Sequence, residues 1–122
     1  MPQLREIARF VDDVDAATAF YEALLGCAPV QRSEGIAIFD LDGITLLIHR
    51  RYDPGPDDLP CEDHIAFAVD DLDAAVAGFI ERGGRVERPP RDWDWGRSAY
   101  VREPVGVTGA GALVELQESV DG

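Results

Sequence analysis

The sequence predicts an α+β fold built from two β-α-β-β-β modules. Three observations lead to this prediction: an internal repeat, a strand-then-helix periodicity of apolar residues in each copy, and glycine- and proline-rich breaks between elements. A chain of 122 residues and 13.3 kDa has room for one domain with a real core. We therefore expect a single domain over 1–122, with module one at about 1–51, a linker at about 52–62 and module two at about 63–118.

The repeat relates residues 6–26 to residues 64–84 at a constant offset of 58, without a gap. Ten of the 21 aligned positions are identical, well above chance. In each copy an apolar run leads into two aspartates and then into an alanine-containing helical pattern. Two copies in a chain of this length indicate two half-domain modules rather than a solenoid.

Each module is predicted to contain one strand, one helix and three further strands. The second aspartate pair mirrors the first, so Asp12-Asp13 and Asp70-Asp71 are both predicted to cap a helix. Glycines follow the apolar helical pattern in both copies, where helices commonly end. The predicted helices are 14–25 and 72–82, and the predicted strands are 4–11, 28–33, 36–41, 44–50, 63–69, 85–88, 97–102 and 111–117.

The charge balance excludes several functions. The chain has 11 basic residues, all arginine, against 24 acidic ones, and its net charge is −13. Such a chain repels nucleic-acid backbones and anionic membranes. Without lysine, neither a Schiff base nor a Walker-type phosphate site can form. No signal-peptide or membrane-spanning pattern is present, so we expect a cytoplasmic protein whose partner is a small-molecule ligand.

The sequence resembles the vicinal oxygen chelate superfamily, which includes glyoxalase I, bleomycin resistance proteins and extradiol dioxygenases. The resemblance rests on the tandem modules, on the strand with its aspartate caps followed by residues 20–26, and on residues 95–104 leading to residues 113–116. It implies a curved mixed sheet around a cleft, with the helices outside and a small organic molecule bound in the cleft. It also implies a homodimer.

The resemblance further implies that metal ligands come from the first and last strands of each module. Carried over by position, these are Glu6, His64 and Glu115. The fourth position, found by aligning the last strands of the two modules, falls on Leu47, which cannot bind a metal. Two carboxylates and an imidazole suit a divalent ion, and they do not distinguish Zn²⁺, Mn²⁺, Fe²⁺, Mg²⁺ or Ni²⁺.

Each candidate ligand also has an interpretation without a metal. His64 could be an ordinary strand residue at the cleft edge, and Glu115 could be bonded to an arginine. Glu6 could be a solvated residue near the N-terminus. The pair Arg9-Phe10 departs from its repeat partner, and a bulge there would turn Glu6 out of the cleft.

His49 is a second candidate for catalysis beside Glu6. It lies two residues beyond Leu47, so both side chains belong to one face of the strand. His49 could act as a general base or as a displaced ligand, or it could be a polar residue at the end of a strand beside Arg50-Arg51.

Four residues of module two are candidates for binding substrate. They are Trp93, Trp95, Arg97 and Tyr100. A guanidinium beside indoles could hold an anionic or aromatic ligand at the cleft mouth. The same segment could equally be only the entry to a strand.

Two functions remain open at this point. The first is a divalent-metal-dependent enzyme of the isomerase, lyase, transferase or dioxygenase type, in which a carboxylate or His49 moves the proton. The second is a metal-free protein of the bleomycin-resistance type that sequesters a drug or another small molecule.

Overall fold

The structure is a computed structural model and describes residues 2–56, 58–104 and 111–119. The described residues form two helices and eight strands. The helices are α1 (Val14–Leu25) and α2 (Leu72–Glu81). The strands are β1 (Gln3–Val11), β2 (Gln31–Ser33), β3 (Ile36–Leu41), β4 (Ile44–Arg50), β5 (His64–Val69), β6 (Arg85–Trp93), β7 (Gly96–Arg102) and β8 (Leu113–Glu118).

The strands form one mixed sheet in the order β2-β3-β4-β1-β5-β8-β7-β6. Each module repeats the same pairing: its first and last strands are parallel, and its other strand pairs are antiparallel. The predicted α+β fold with two helices and a mixed sheet is therefore confirmed. By their contacts the residues divide into a first unit, Glu6–Asp63, and a second unit, Met1–Arg5 with His64–Gly122.

In the first unit α1 packs against β3 and β4. The Asp13 carboxylate accepts a hydrogen bond from the backbone N–H of Ala16 at 3.0 Å, and this bond caps the helix. The helix ends at Gly26, whose φ of 72° lies in the left-handed region that glycine adopts without strain. The buried core consists of Val14, Ala37, Phe39, Leu46 and Ile48.

In the second unit α2 packs against β6, β7 and β8. Its cap repeats that of α1, because the Asp71 carboxylate accepts from the backbone N–H of Ala74 at 3.0 Å. The buried core consists of Val69, Leu72, Val76 and Ala99.

Along each strand, successive side chains alternate between the sheet face that packs against the helix of that unit and the face that points away from it. In the first unit Leu46 and Ile48 pack in the α1 core, so Leu47 and His49 face away from α1. In the second unit Leu116 packs against the α2 core, so Glu115 and its neighbours two residues away face away from α2.

Two strands differ from their predicted bounds by three residues or more. β6 runs to Trp93 rather than ending at 88, and it includes Pro89 and Pro90. The prolines are tolerated because β6 is an edge strand whose register with β7 shifts between Arg88 and Arg91. β2 starts at Gln31 rather than at 28.

Within the described part of the chain, neither helix is long and apolar enough to cross a membrane.

Candidate metal centre

His64 and Glu115 form a buried polar pair in the second unit. His64 begins β5, and Glu115 lies on β8 opposite Ala66, two residues further along β5. Both side chains face away from α2, since residues two apart on a strand share a face. The His64 Nε2 atom lies 3.1 Å from Glu115 Oε1, and the side chains are only 5% and 3% exposed.

Both oxygens of the Glu115 carboxylate have partners. Oε1 contacts His64, and Oε2 accepts a hydrogen bond of 3.1 Å from the Gln117 side-chain amide. The His64 ring meets the Tyr100 ring nearly edge-on, with centroids 5.6 Å apart at 83°. These contacts fix the orientation of the carboxylate and of the imidazole.

A buried carboxylate is costly unless its charge is compensated. Within the described residues no arginine lies within 4.0 Å of the Glu115 carboxylate, and its ion-pair partner is His64. The predicted alternative, an arginine bonded to Glu115, is therefore not observed among these residues. The arrangement leaves an imidazole and an amide to stabilise the carboxylate.

Glu6, the third candidate ligand, lies on β1 and is half-buried. The pairing of β1 with β4 runs without a shift from Glu6 to Val11, so this pairing contains no bulge. One ligand atom each from Glu6, His64 and Glu115 can be chosen so that all three lie within 4.8 Å of one another. Two carboxylates and an imidazole at this spacing fit the donor set of a divalent cation.

The strand register supports the alignment of Leu47 with Glu115. Leu47 pairs with Ala8 on β1, and Glu115 pairs with Ala66 on β5. Ala8 and Ala66 are equivalent in the internal repeat, because they differ by its offset of 58. Leu47 thus occupies the position equivalent to Glu115 in the first module and offers no metal-binding atom.

The comparison with known families agrees with this architecture. Residues 3–109 match the family model of the Glyoxalase/Bleomycin resistance protein/Dioxygenase superfamily. The chain belongs to this superfamily. The match ends before β8, so the assignment of Glu115 depends on the strand register and on its contacts.

Two curated relatives are Streptomyces proteins. The chain is 34% identical over 117 residues to the anthracycline biosynthesis protein DauV of Streptomyces sp. (strain C5). It is 36% identical over 116 residues to the anthracycline biosynthesis protein DnrV of Streptomyces peucetius. Each alignment covers 88% of this chain but only 39% of the relative, so the chain spans about two fifths of the relatives' length.

A solved structure shows the same fold. The methylmalonyl-CoA epimerase of Mycobacterium tuberculosis superposes with a TM-score of 0.68 at 22% identity. The superposition covers 97% of this chain and 88% of the epimerase. At this identity the likeness establishes the superfamily fold and nothing about the reaction.

His49, the other catalytic candidate in this superfamily member, lies in an aromatic cluster of the first unit. Its ring centroid is 5.4 Å from that of Phe10 and 5.6 Å from that of Tyr52. Its Nδ1 atom lies 2.7 Å from the carbonyl oxygen of Arg50. His49 follows Leu47 by two residues as Gln117 follows Glu115, so the two modules place different groups at equivalent positions.

Trp93 and Trp95 stack on each other where β6 turns into β7. Their ring centroids are 5.2 Å apart with an interplanar angle of 12°, and the Arg91 guanidinium lies 4.2 Å from the Trp93 ring centroid. Trp95 is 54% exposed, so part of its side chain is accessible to solvent.

Arg97 and Tyr100 lie on opposite faces of β7, because they are three residues apart. Tyr100 is buried against His64. Arg97 instead donates to Asp73 of α2 at 2.6 Å and lies 3.6 Å from Asp92. The hydrogen bond to Asp73 raises the pKa of Arg97, although partial desolvation opposes this shift. The structure therefore brings Tyr100, and not Arg97, to the His64–Glu115 pair.

Sequence reasoning missed Gln117. Its signal was available, because it lies two residues after Glu115 and therefore on the same face of β8. An amide beside a buried carboxylate is the kind of partner that orients a metal ligand.

Proposed function

We propose that this protein is a divalent-metal-dependent enzyme that acts on a small organic molecule with two neighbouring oxygen atoms. Glu6, His64 and Glu115 hold the ion in this proposal. The observation that carries it is the convergence of their ligand atoms within 4.8 Å. Two of these side chains are at most 5% exposed, a degree of burial that ionisable groups adopt only with a compensating partner.

The ion, when bound, supplies Lewis acidity to the two oxygen atoms of the substrate. His64 contributes the lone pair of Nε2 as a neutral imidazole. Glu115 contributes Oε1, while Gln117 holds Oε2 and so restricts the rotation of the carboxylate. Tyr100 limits the tilt of the imidazole by packing at right angles to its ring.

We assign proton transfer to Glu6 or to His49. Glu6 is the less buried of the two carboxylates in the ligand set, and a carboxylate can exchange a proton. His49 is the second histidine of the chain, and its Nε2 atom is available because Nδ1 is directed at the Arg50 carbonyl.

A second function has support from two observations. His64 and Glu115 satisfy each other at 3.1 Å, so the pair is stable without an ion. The fourth ligand position is Leu47. Both features suit a metal-free protein that sequesters a small molecule, with the stacked Trp93 and Trp95 as an aromatic wall.

The melting temperature separates the two functions. We expect excess Mn²⁺ or Zn²⁺ to raise it relative to chelator, because an ion that binds only the folded chain stabilises it. Glu115→Gln and His64→Ala should abolish the rise, because the first replaces an anionic ligand by a neutral amide and the second removes a ligand. Glu81→Gln is the matched control, because it removes the same charge from an exposed position on α2.

If the parent melts at the same temperature with metal and with chelator, the metal-free function is the better account. If both ligand variants respond to metal as the parent and the control do, the assignment of His64 and Glu115 as ligands is wrong.

A further inference from the structure

The first unit contains a pocket of about 400 Å³ where β4 ends beside the turn between β2 and β3. Ile36 and His49, which pair across β3 and β4, lie on one side of it. The pocket is also lined by the next three residues of the chain, Arg50, Arg51 and Tyr52. None of these residues belongs to the proposed metal-binding set, although His49 is also a candidate for proton transfer in the proposed function. The volume is within the range of small-molecule sites.

The pocket concentrates positive charge in a strongly acidic chain. Two of the 11 basic residues are adjacent here, while the chain carries 24 acidic ones. Arg50 donates to the backbone carbonyl of Glu34 at 2.9 Å and, within the described residues, has no carboxylate within 4.0 Å. Arg51 lies 3.4 Å from Asp12, and both side chains of that pair are more than 60% exposed. An exposed pair of this kind is weak and exchanges readily for another anion.

The other side of the pocket is aromatic and apolar. His49 and Tyr52 line this side, and their rings pack with each other and with the ring of Phe10, which is outside the lining, at centroid distances of 5.4 to 5.9 Å. Because a carbonyl oxygen only accepts hydrogen bonds, the His49 Nδ1 atom near the Arg50 oxygen must carry the proton. The Tyr52 hydroxyl is engaged too, since it donates to the Leu59 carbonyl at 2.7 Å. The ring faces, rather than these polar atoms, are thus the surface offered to a ligand.

We propose that this pocket binds a carboxylate carried on an aromatic ring. The guanidinium groups of Arg50 and Arg51 receive the carboxylate, for which their fork geometry is suited. The aromatic body lies against His49, Tyr52 and Ile36. Binding at this site needs no metal, so the inference goes beyond the proposed function and is tested separately from it.

The test is calorimetric titration with 2-naphthoate in the presence of chelator. Naphthalene-2-methanol, which has the same ring system but no charge, is the comparison probe. We expect the parent to bind the carboxylate about tenfold more tightly than the alcohol, as a charge-assisted bond gives. Arg50→Gln/Arg51→Gln should remove this preference and leave alcohol binding unchanged. His49→Ala should weaken the binding of both probes, because it removes part of the ring surface.

Arg32→Gln/Arg82→Gln is the matched control, since it changes the net charge equally at residues outside the pocket. Equal affinity of the parent for both probes, or no binding of the carboxylate, overturns the proposal. The proposal is also overturned if Arg50→Gln/Arg51→Gln prefers the carboxylate over the alcohol as strongly as the control variant does. If Arg50→Gln/Arg51→Gln does not fold, the parent protein decides the question. It should prefer the carboxylate over the alcohol at low salt and lose this preference at high salt, and a preference that salt does not change overturns the proposal.

Discussion

At the scale of residues, the site depends on a row of polar side chains on one face of β5 and β8. His64, Glu115 and Gln117 are joined by two contacts of 3.1 Å each. Gln117 contacts the carboxylate oxygen that His64 does not. It is therefore a positioning residue in our account, because it acts on the ion only through Glu115.

Gln117→Leu should weaken Mn²⁺ binding by about ten- to a hundredfold, the usual cost of losing a partner that orients a ligand. Electron paramagnetic resonance of free Mn²⁺ measures this affinity. The spectrum of Co²⁺ bound to the variant should also change, because the released carboxylate can rotate. Gln31→Leu is the control, being the same substitution at an exposed position of β2. Unchanged affinity and spectrum in Gln117→Leu would show that Gln117 does not position Glu115.

Tyr52 makes stability depend on alkaline pH. Its pKa is raised chiefly by desolvation, with smaller contributions from Cys61 and Asp58. The folded chain therefore keeps the phenol proton to a higher pH than the unfolded chain does. This contribution is fully present below the unfolded pKa of about 10 and is lost as the pH rises through the folded value.

Tyr52→Phe should make the free energy of unfolding fall less steeply above about pH 10, because phenylalanine has no proton to lose. Urea unfolding at a series of pH values measures the slope. The variant should also lose about 1 kcal/mol at neutral pH through the hydrogen bond to Leu59. An alkaline slope equal to the parent's would mean that the Tyr52 pKa is not raised.

Sequence reasoning reached some of these residues for a definite physical reason. His64 and Glu115 were predicted because the family resemblance places metal ligands on the first and last strands of each module, and these two residues lie on those strands of module two. The partners of Arg97 were not predictable, because Asp73 lies on α2 and only the folded chain brings it within 2.6 Å. The stacking of Trp93 on Trp95 depends on the tight turn between β6 and β7. The predicted strands ended at 88 and resumed at 97, so they did not predict this turn.

At the scale of elements, the helices were the most predictable part. Both begin after the second aspartate of a repeated pair, and in both that aspartate accepts a bond from the N–H three residues on. Local sequence is enough to determine such a cap. β6 was predicted too short because prolines usually end a strand, and its position at the sheet edge emerges only from the fold.

Asp13→Ala and Asp71→Ala should each lower the free energy of unfolding by about 1 kcal/mol, because each leaves helix N–H groups without an acceptor. Asp12→Ala is the control, since Asp12 is the neighbouring residue and its carboxylate forms an exposed ion pair with Arg51. Urea unfolding of the three variants checks this. Equal losses in all three would indicate a general charge effect and not capping.

At the scale of the whole molecule, the two modules share a topology but differ in chemistry. The strand face away from the helix carries Ala8 and Leu47 in the first unit, and Ala66 and Glu115 at the equivalent positions in the second. Sequence analysis predicted this equivalence, because the repeat aligned Ala8 with Ala66 and the alignment of the last strands matched Leu47 to Glu115. The description as one domain over 1–122 stays a prediction, and residues 1, 57, 105–110 and 120–122 lie outside the described part.

The homodimer also stays a prediction. The terminal strands β2 and β6 leave edges, and large apolar side chains such as Phe20 and Leu24 on α1 are more than half exposed. Light scattering at micromolar concentration should give a mass about twice the 13.3 kDa of one chain. A mass equal to one chain over the accessible concentration range would refute the dimer.

The central claim is that Glu6, His64 and Glu115 bind a divalent ion, and metal content per chain tests it most directly. Untagged protein is dialysed against Mn²⁺, Zn²⁺, Fe²⁺, Ni²⁺ or Mg²⁺ and then analysed for bound metal. The account predicts one ion per chain for the parent with at least one of these metals, and no bound ion in Glu115→Gln or His64→Ala. A parent without bound metal, or ligand variants that retain the parent's content, would contradict it.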